Sequence, residues 1–275
     1  MKGALSKLRH ALRPIYHAGS NRCTACGSWM RTVKWPVMWD QLGEDWELSE
    51  TLYWQMDERE GRVCPFCFSN QRVRLLAKTL LADIRRTKGR RSRSVAELAS
   101  RFVNDDLKIA EINAVSYLHP FLARLPNLSF SEYGSTDPAV PNEDLMGLSY
   151  EDAVFDYVLT SDTLEHVPDF DRAMKEIRRV LKPGGKHIFT IPVIWERSTR
   201  QRATLDDDGV HHILPPSHHA GPQINQEDYL VFNEFGGDVV ERIANAGFSV
   251  DVVKDRKNSL VSTIIATRPF NAASR

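Results

Sequence analysis

The sequence predicts an α/β protein: a largely parallel sheet covered by helices on both faces, preceded by a small module built around cysteines. Three observations predict it. Short apolar runs alternate with helical stretches from about residue 107 onward. All 4 cysteines fall in Cys-x-x-Cys pairs near the amino end. A chain of 275 residues that is 42% hydrophobic is long and apolar enough for one large domain plus an accessory module.

The charge balance narrows the partners. The 36 basic residues match the 36 acidic ones, so the molecule has no overall field to draw it to nucleic acid, and nucleic-acid binding is not expected. No stretch reaches the run of about 20 apolar residues that a membrane span needs. Residues 1–22 carry Lys2, Lys7, Arg9, Arg13 and Arg22 without an acid, and Leu5, Leu8 and Leu12 would share a helical face. A basic amphipathic segment of this kind could dock on a membrane surface or a partner, or act as a mitochondrial transit peptide. A short helix on the protein's own surface is the favoured reading. No apolar stretch follows as in an export signal, and a cytoplasmic location is expected.

The pairs Cys23-Thr-Ala-Cys26 and Cys64-Pro-Phe-Cys67 each make a turn that aims two thiolates at one centre. Four such ligands fit a closed, structural zinc site; two disulfides are the alternative and lack support from an oxidising compartment. Trp29, Trp35, Trp39, Trp46, Tyr53 and Trp54 lie between the pairs among Glu44, Asp45, Glu47, Glu50, Asp57, Glu58 and Glu60. Those acids would repel phosphate, so the aromatics are read as packing residues. Next, Arg72 to Arg86 reads as a helix with Val73, Leu76, Leu80 and Ile84 inward, ending in a basic run interrupted by Gly89.

In the second half, strands are expected at Leu107–Ile112, Asn127–Glu132, Phe155–Thr160, Lys186–Pro192, Phe248–Val253 and Leu260–Thr267. Helices are expected at Tyr117–Leu125, Phe170–Leu181 and about Glu234–Ala246, the second stopped by Lys182-Pro-Gly-Gly185. The last two strands form a hairpin.

The stretch FDYVLTSDTLEHVPDFDRAMKEIRRVLKPGGKHIFTIP, residues 155–192, resembles the fourth strand, following helix and fifth strand of class I S-adenosylmethionine (SAM)-dependent methyltransferases, of the domain 11/12 type. The terminal hairpin is similar to that family's reversed seventh strand. The resemblance implies a Rossmann-like fold with a seven-stranded, mostly parallel sheet, behind a small N-terminal zinc-binding module with four cysteine ligands. The chain then divides into a basic segment 1–22, a zinc knuckle module 23–70, a helical linker 71–104 and a methyltransferase-like domain 105–270. It also implies SAM as cofactor, structural zinc, and transfer of a methyl group to a small-molecule or glycan-linked hydroxyl or amine.

Ligands of such sheets bind outside the carboxyl ends of the strands. Glu132, at the end of the second strand and about 20 residues beyond Glu111, is where an acid accepts ribose hydroxyls. By resemblance, Glu111 supports the methionine end and Asp144 approaches the adenine. Tyr133, Leu145 and Ser161 border the same crevice. The loop after the first strand departs from the family: Asn113-Ala-Val-Ser-Tyr117 has no glycine. Asn113 can adopt the left-handed region, whereas Val115 brings bulk. This loop motivates the alternative reading, a catalytically inactive methyltransferase-like scaffold. With the loop intact enough to bind, Asn113 and Ala114 join the cofactor set.

For chemistry, a hydroxyl acceptor must lose a proton, which suits histidine. His166 in LEHV follows the fourth strand of the family register. The long connection 193–233 holds Asp206-Asp-Asp-Gly209, His211, His212, His218 and His219, and HHAGPQI (218–224) resembles a recurrent acceptor-side segment. His219 is the first choice for a base there. A metal site among these Asp and His residues has no definite ligand spacing.

Overall fold

The computed structural model describes residues 15–16, 21–102, 106–219 and 229–270. The expected basic helix near the amino end, with its proposed membrane contact, lies outside the described residues, as do residues 220–224 of the HHAGPQI segment.

Six strands form the central sheet among the described residues: β1 (Ile109–Ile112), β2 (Leu128–Ser131), β3 (Phe155–Ser161), β4 (Leu181–Thr190), β5 (Ser249–Lys254) and β6 (Ser262–Thr267). Their order is β5-β6-β4-β3-β1-β2. The β2, β1, β3 and β4 strands pair in parallel, and β6 runs antiparallel to both neighbours, as the hairpin expectation required. The reversed strand of the terminal hairpin is present as β6, but the sheet has six strands among the described residues, not the seven the resemblance implies. Beyond β2 only one parallel bridge, Glu132 to Asn142, extends the sheet. Pro138 and Pro141 have no N–H to give a ladder, and the Pro141 carbonyl accepts the Glu132 N–H as its single contribution.

Alternation along the strands sorts the core into two faces. On one, Ala110, Val158, Phe189 and Ile264 pack with helices α4 (Phe170–Val180) and α5 (Val239–Asn245) through Phe170, Ile177 and Ile243. On the other, Ile109, Leu159 and Ile188 pack with helix α2 (Gln71–Lys88) through Val73, Leu76, Leu80 and Ile84, and this same cluster takes in Cys23 and Cys64. Helix α2 therefore covers a sheet face. Asn70 caps α2 by accepting the Val73 N–H, and Gly89 ends it in the left-handed conformation, φ 67°. Helix α3 (Val95–Arg101) follows, and its first two N–H groups, of Val95 and Ala96, donate to the carbonyls of Thr24 and Ala25. Ahead of α2, helix α1 (Glu50–Gly61) carries Met56 into a third cluster with Leu42, Trp46 and Leu260. Trp46 packs as expected, but Trp29, Trp35 and Trp54 are exposed.

Three elements differ from expectation. Tyr117–Leu125 is a 3-10 turn, Ser116–Leu118, followed by one α-turn, His119–Leu122, with Pro120 in its first positions. Lys182–Gly185 is not a break between helix and strand but an irregularity inside β4, where pairing jumps from Phe155–Leu181 to Tyr157–Lys186. The helix expected from Glu234 starts at Val239, because Asn233–Gly236 pairs as a strand with Val193–Ile194 and Arg200–Gln201. A Cβ at Gly236 would sit 2.0 Å from the Arg197 carbonyl, so the close strand approach needs glycine there. No helix among the described residues is long and apolar enough to cross a membrane.

Candidate active site

The carboxyl ends of β1, β2 and β3 open onto a cavity of about 1040 Å³. The β1 loop forms its floor. Asn113 adopts φ +56° and Ser116 φ +46°, supplying with L side chains the left-handed positions that glycines usually take. The Asn113 N–H donates to the Ser131 carbonyl (2.9 Å), and its Oδ1 accepts the Tyr133 N–H (2.8 Å), tying the β1 and β2 loops together. Val115 is fully buried and packs into the α2-side core, so its bulk is turned away from the cavity. Tyr117 is exposed and leans on Phe68.

Glu111 is placed differently from the expectation of a cofactor contact. It is fully buried beneath the loop, where Oε1 accepts the Val115 N–H (2.8 Å) and Oε2 meets His119 Nδ1 at 2.8 Å. Burial raises its pKa above the ordinary value despite these contacts. It braces the loop from behind. Asn113, Ala114, Glu132, Tyr133, Asp144 and Leu145 all line one wall of the cavity. The Asp144 carboxylate accepts the Met146 N–H (2.8 Å), which fixes the turn carrying Leu145.

Ser161, His166 and His219 line the cavity too. His166 Nδ1 donates to the Leu230 carbonyl (2.9 Å), so the other ring nitrogen, Nε2, carries the free lone pair. Burial holds its pKa below the ordinary histidine value. His219 stands edge-on to it, ring centroids 5.0 Å apart, and packs against Trp46 at 5.2 Å. The connection containing His219 is anchored by Glu234, a buried acid that pairs with Arg197, Arg200 and Arg202. Its Asp206–Gly209 stretch is the turn of a hairpin, Ala203–Asp206 with Gly209–His212, whose Leu205 and Val210 reach the cavity. His211 pairs with Asp206 on the exposed side of that hairpin, and His212 is exposed.

Sequence reasoning missed the cavity's charged wall. Arg59 of α1 donates two hydrogen bonds to Asp162, at 2.7 and 2.8 Å, and Arg72 Nε lies 3.1 Å from the same carboxylate. Burial opposes ionisation of Asp162, but the two guanidinium groups outweigh it and hold the carboxyl well below the usual range. Arg72 also donates to Ser161 Oγ and to Glu60. Arg59 was detectable as the only basic residue between Asp40 and Gly61, inside an otherwise acidic run. Glu165, beside His166 in LEHV, is fully buried and does not line the cavity.

The four cysteines converge. Cys23 and Cys67 Sγ are 3.7 Å apart, Cys26 and Cys64 Sγ 3.9 Å, and no disulfide joins them. A tetrahedral ion with Zn–S bonds of about 2.3 Å separates its sulfurs by roughly 3.8 Å.

A parallel sheet with an acid at the tip of β2 and a crevice above β1 and β3 invites comparison with known families. Residues 102–189 match the methyltransferase domain family. The matched segment begins ahead of β1 and runs almost to the end of β4. Among curated proteins, the chain is 39% identical over 70 residues to a sterol 4-C-methyltransferase of Caenorhabditis elegans, covering 25% of this chain and 21% of that one. It is 48% identical over 44 residues to a sarcosine/dimethylglycine N-methyltransferase of Halorhodospira halochloris, 16% of each chain. The chain thus spans about a fifth or less of the length of these relatives. Among solved structures, SAM-bound CalS10, an amino pentose methyltransferase from Micromonospora echinaspora, aligns with TM-score 0.42 and 16% identity over 69% of this chain and 96% of its own.

Proposed function

We propose that the chain is a SAM-dependent methyltransferase acting on a small-molecule or glycan-linked hydroxyl or amine, with a structural zinc ion in its amino-terminal module. The observation that carries this is the position of Glu132: an acid at the tip of β2, lining a cavity at the strand ends, inside a segment matched to a methyltransferase domain. Glu132 would accept the ribose hydroxyls. Asp144 and Leu145 would border the adenine, while Asn113, Ala114, Tyr133 and Ser161 would shape the rest of the cofactor's bed. Glu111 would act indirectly, by holding the β1 loop in its shape. The separations of the four sulfurs support zinc at Cys23, Cys26, Cys64 and Cys67.

SAM, when bound, supplies a methyl group made electrophilic by its sulfonium. The chain's own work is to orient the acceptor, exclude water and manage the acceptor's proton. Leu205 and Val210 of the 203–212 hairpin, with Trp46, give the cavity an apolar border. His166, held neutral by burial with Nε2 free, and His219 beside it are the groups for the proton. The sterol and amine substrates in the relatives' names support a small acceptor.

Methyl-labelled SAM offered with panels of hydroxyl and amine acceptors tests this. Label should reach an acceptor in the native protein and fall by at least tenfold in His166→Ala or His219→Ala. Failure to bind SAM at millimolar concentration would overturn it.

A further inference from the structure

We propose that Glu165, His166 and His219 form a second, open metal site at the acceptor end of the cavity, taking a divalent transition ion such as zinc that binds the acceptor's hydroxyl oxygen. This rests on the methyltransferase reading of the cavity and assigns its two histidines a joint task.

Glu165 supplies the first argument. Its side chain is completely buried, and neither carboxylate oxygen has a hydrogen-bond partner among the described residues. A buried carboxylate left this way is costly unless a cation or a donor completes it. Its neighbours at the right range are imidazole nitrogens: His219 Nδ1 lies 3.5 Å from Oε1, and His166 Nε2 lies 3.8 Å from the same oxygen. One ligand atom from each of the three residues falls within 4.8 Å of the others. Bonds of about 2.0–2.1 Å around a tetrahedral ion place its ligand atoms roughly 3.3 Å apart. A small inward movement of the rings closes that gap.

The surroundings provide the second argument. Metal-binding histidines commonly donate their other ring N–H to a carbonyl or carboxylate, which fixes the tautomer and aims the lone pair. His166 does this through Nδ1 to Leu230, leaving Nε2 on the Glu165 side. The His219 backbone N–H donates to the Tyr229 carbonyl at 3.2 Å, and its ring rests on Trp46. Three protein ligands leave a coordination position open, as in catalytic rather than structural sites. His166 and His219 both line the cavity, so that position faces the bound acceptor. An oxygen there loses its proton more readily; with both imidazoles engaged as ligands, the ion takes over their part in deprotonation and the proton leaves to water in the cavity.

Cobalt titration of the metal-free full-length chain tests the proposal, because the two sites give different spectra. Thiolate-to-cobalt charge transfer reports the cysteine cluster, and a ligand-field band that grows without it reports the histidine–glutamate set. Two equivalents are expected in the native chain. Glu165→Gln, a nearly isosteric change, and His219→Asn should each weaken the thiolate-free equivalent by more than about 100-fold and leave the thiolate band intact. A native chain showing thiolate-bound cobalt alone would overturn the proposal, as would variants that retain the second equivalent. Calorimetric binding of SAM in the presence of chelator reads the other claim separately. SAM binding without a second ion sinks the metal site alone, and a second ion without SAM binding sinks the methyltransferase reading on which its role depends.

Discussion

Arg59 and Asp162 join the amino-terminal module to the end of β3 through a two-pronged ion pair at 2.7 and 2.8 Å, with the guanidinium only 1% exposed. Breaking one side of a buried pair leaves the other charge uncompensated, at a typical cost of about 3–5 kcal/mol. Arg59→Met should therefore destabilise the protein by about 3 kcal/mol in urea unfolding. Adding Asp162→Leu to that variant should recover part of the loss, since both charges are then gone. A double variant less stable than Arg59→Met would contradict the pairing.

The cysteine cluster should bind one zinc per chain. Replacing Cys23 or Cys64 with serine should abolish that equivalent and lower the melting midpoint by several degrees, because these two residues also belong to the core under α2. Metal analysis with thermal melts checks both. Full retention of structure after chelation would argue against a structural ion.

Asn113 stands at φ +56° with its side chain bonded to the Tyr133 N–H. Asn113→Ala should cost about 1–2 kcal/mol, from left-handed strain on a Cβ and the lost hydrogen bond. Asn113→Gly should cost less, because glycine relieves the strain. Equal losses in the two variants would show that backbone conformation is not what the position selects.

His187 is buried with Nε2 at 2.9 Å from Thr160 Oγ1, and burial pushes its pKa from 6.5 down to about 3. As pH falls below 6.5 the unfolded chain takes up a proton that the folded chain refuses until about pH 3. The unfolded state then binds more protons, so stability drops as the pH drops across that window, by up to about 1.4 kcal/mol per unit. Unfolding measured at pH 7.5 and pH 5 should show about 2 kcal/mol less pH-dependent loss in His187→Gln than in the native protein.

The periodic segments were legible because burial imposes period: β3, α4 and the β5–β6 hairpin all lie close to where alternating or helical apolar residues put them. Short elements were not. A single turn such as His119–Leu122 has too few residues to show a period, and the strand Asn233–Gly236 is set by partners far along the chain. The site divides the same way. Glu132 and Asn113 follow from their position after a strand, whereas Arg59 reaches the cavity through packing that brings α1 against the β3 end. The sheet stops one strand short of seven beyond β2, where Pro138 and Pro141 lack the N–H groups a ladder needs, a local feature that a family strand count does not register.

Glu132 carries the central claim, and a calorimetric titration of SAM into the native chain and Glu132→Ala tests it most directly. Losing hydrogen bonds from a charged acceptor to the ribose should cost about 1.5–3 kcal/mol, roughly a 10- to 100-fold weaker affinity. Unfolding stability should stay within about 0.5 kcal/mol of native, since the side chain is only partly buried. Equal SAM affinity in the two proteins would contradict the assignment, as would a native chain that takes up no SAM.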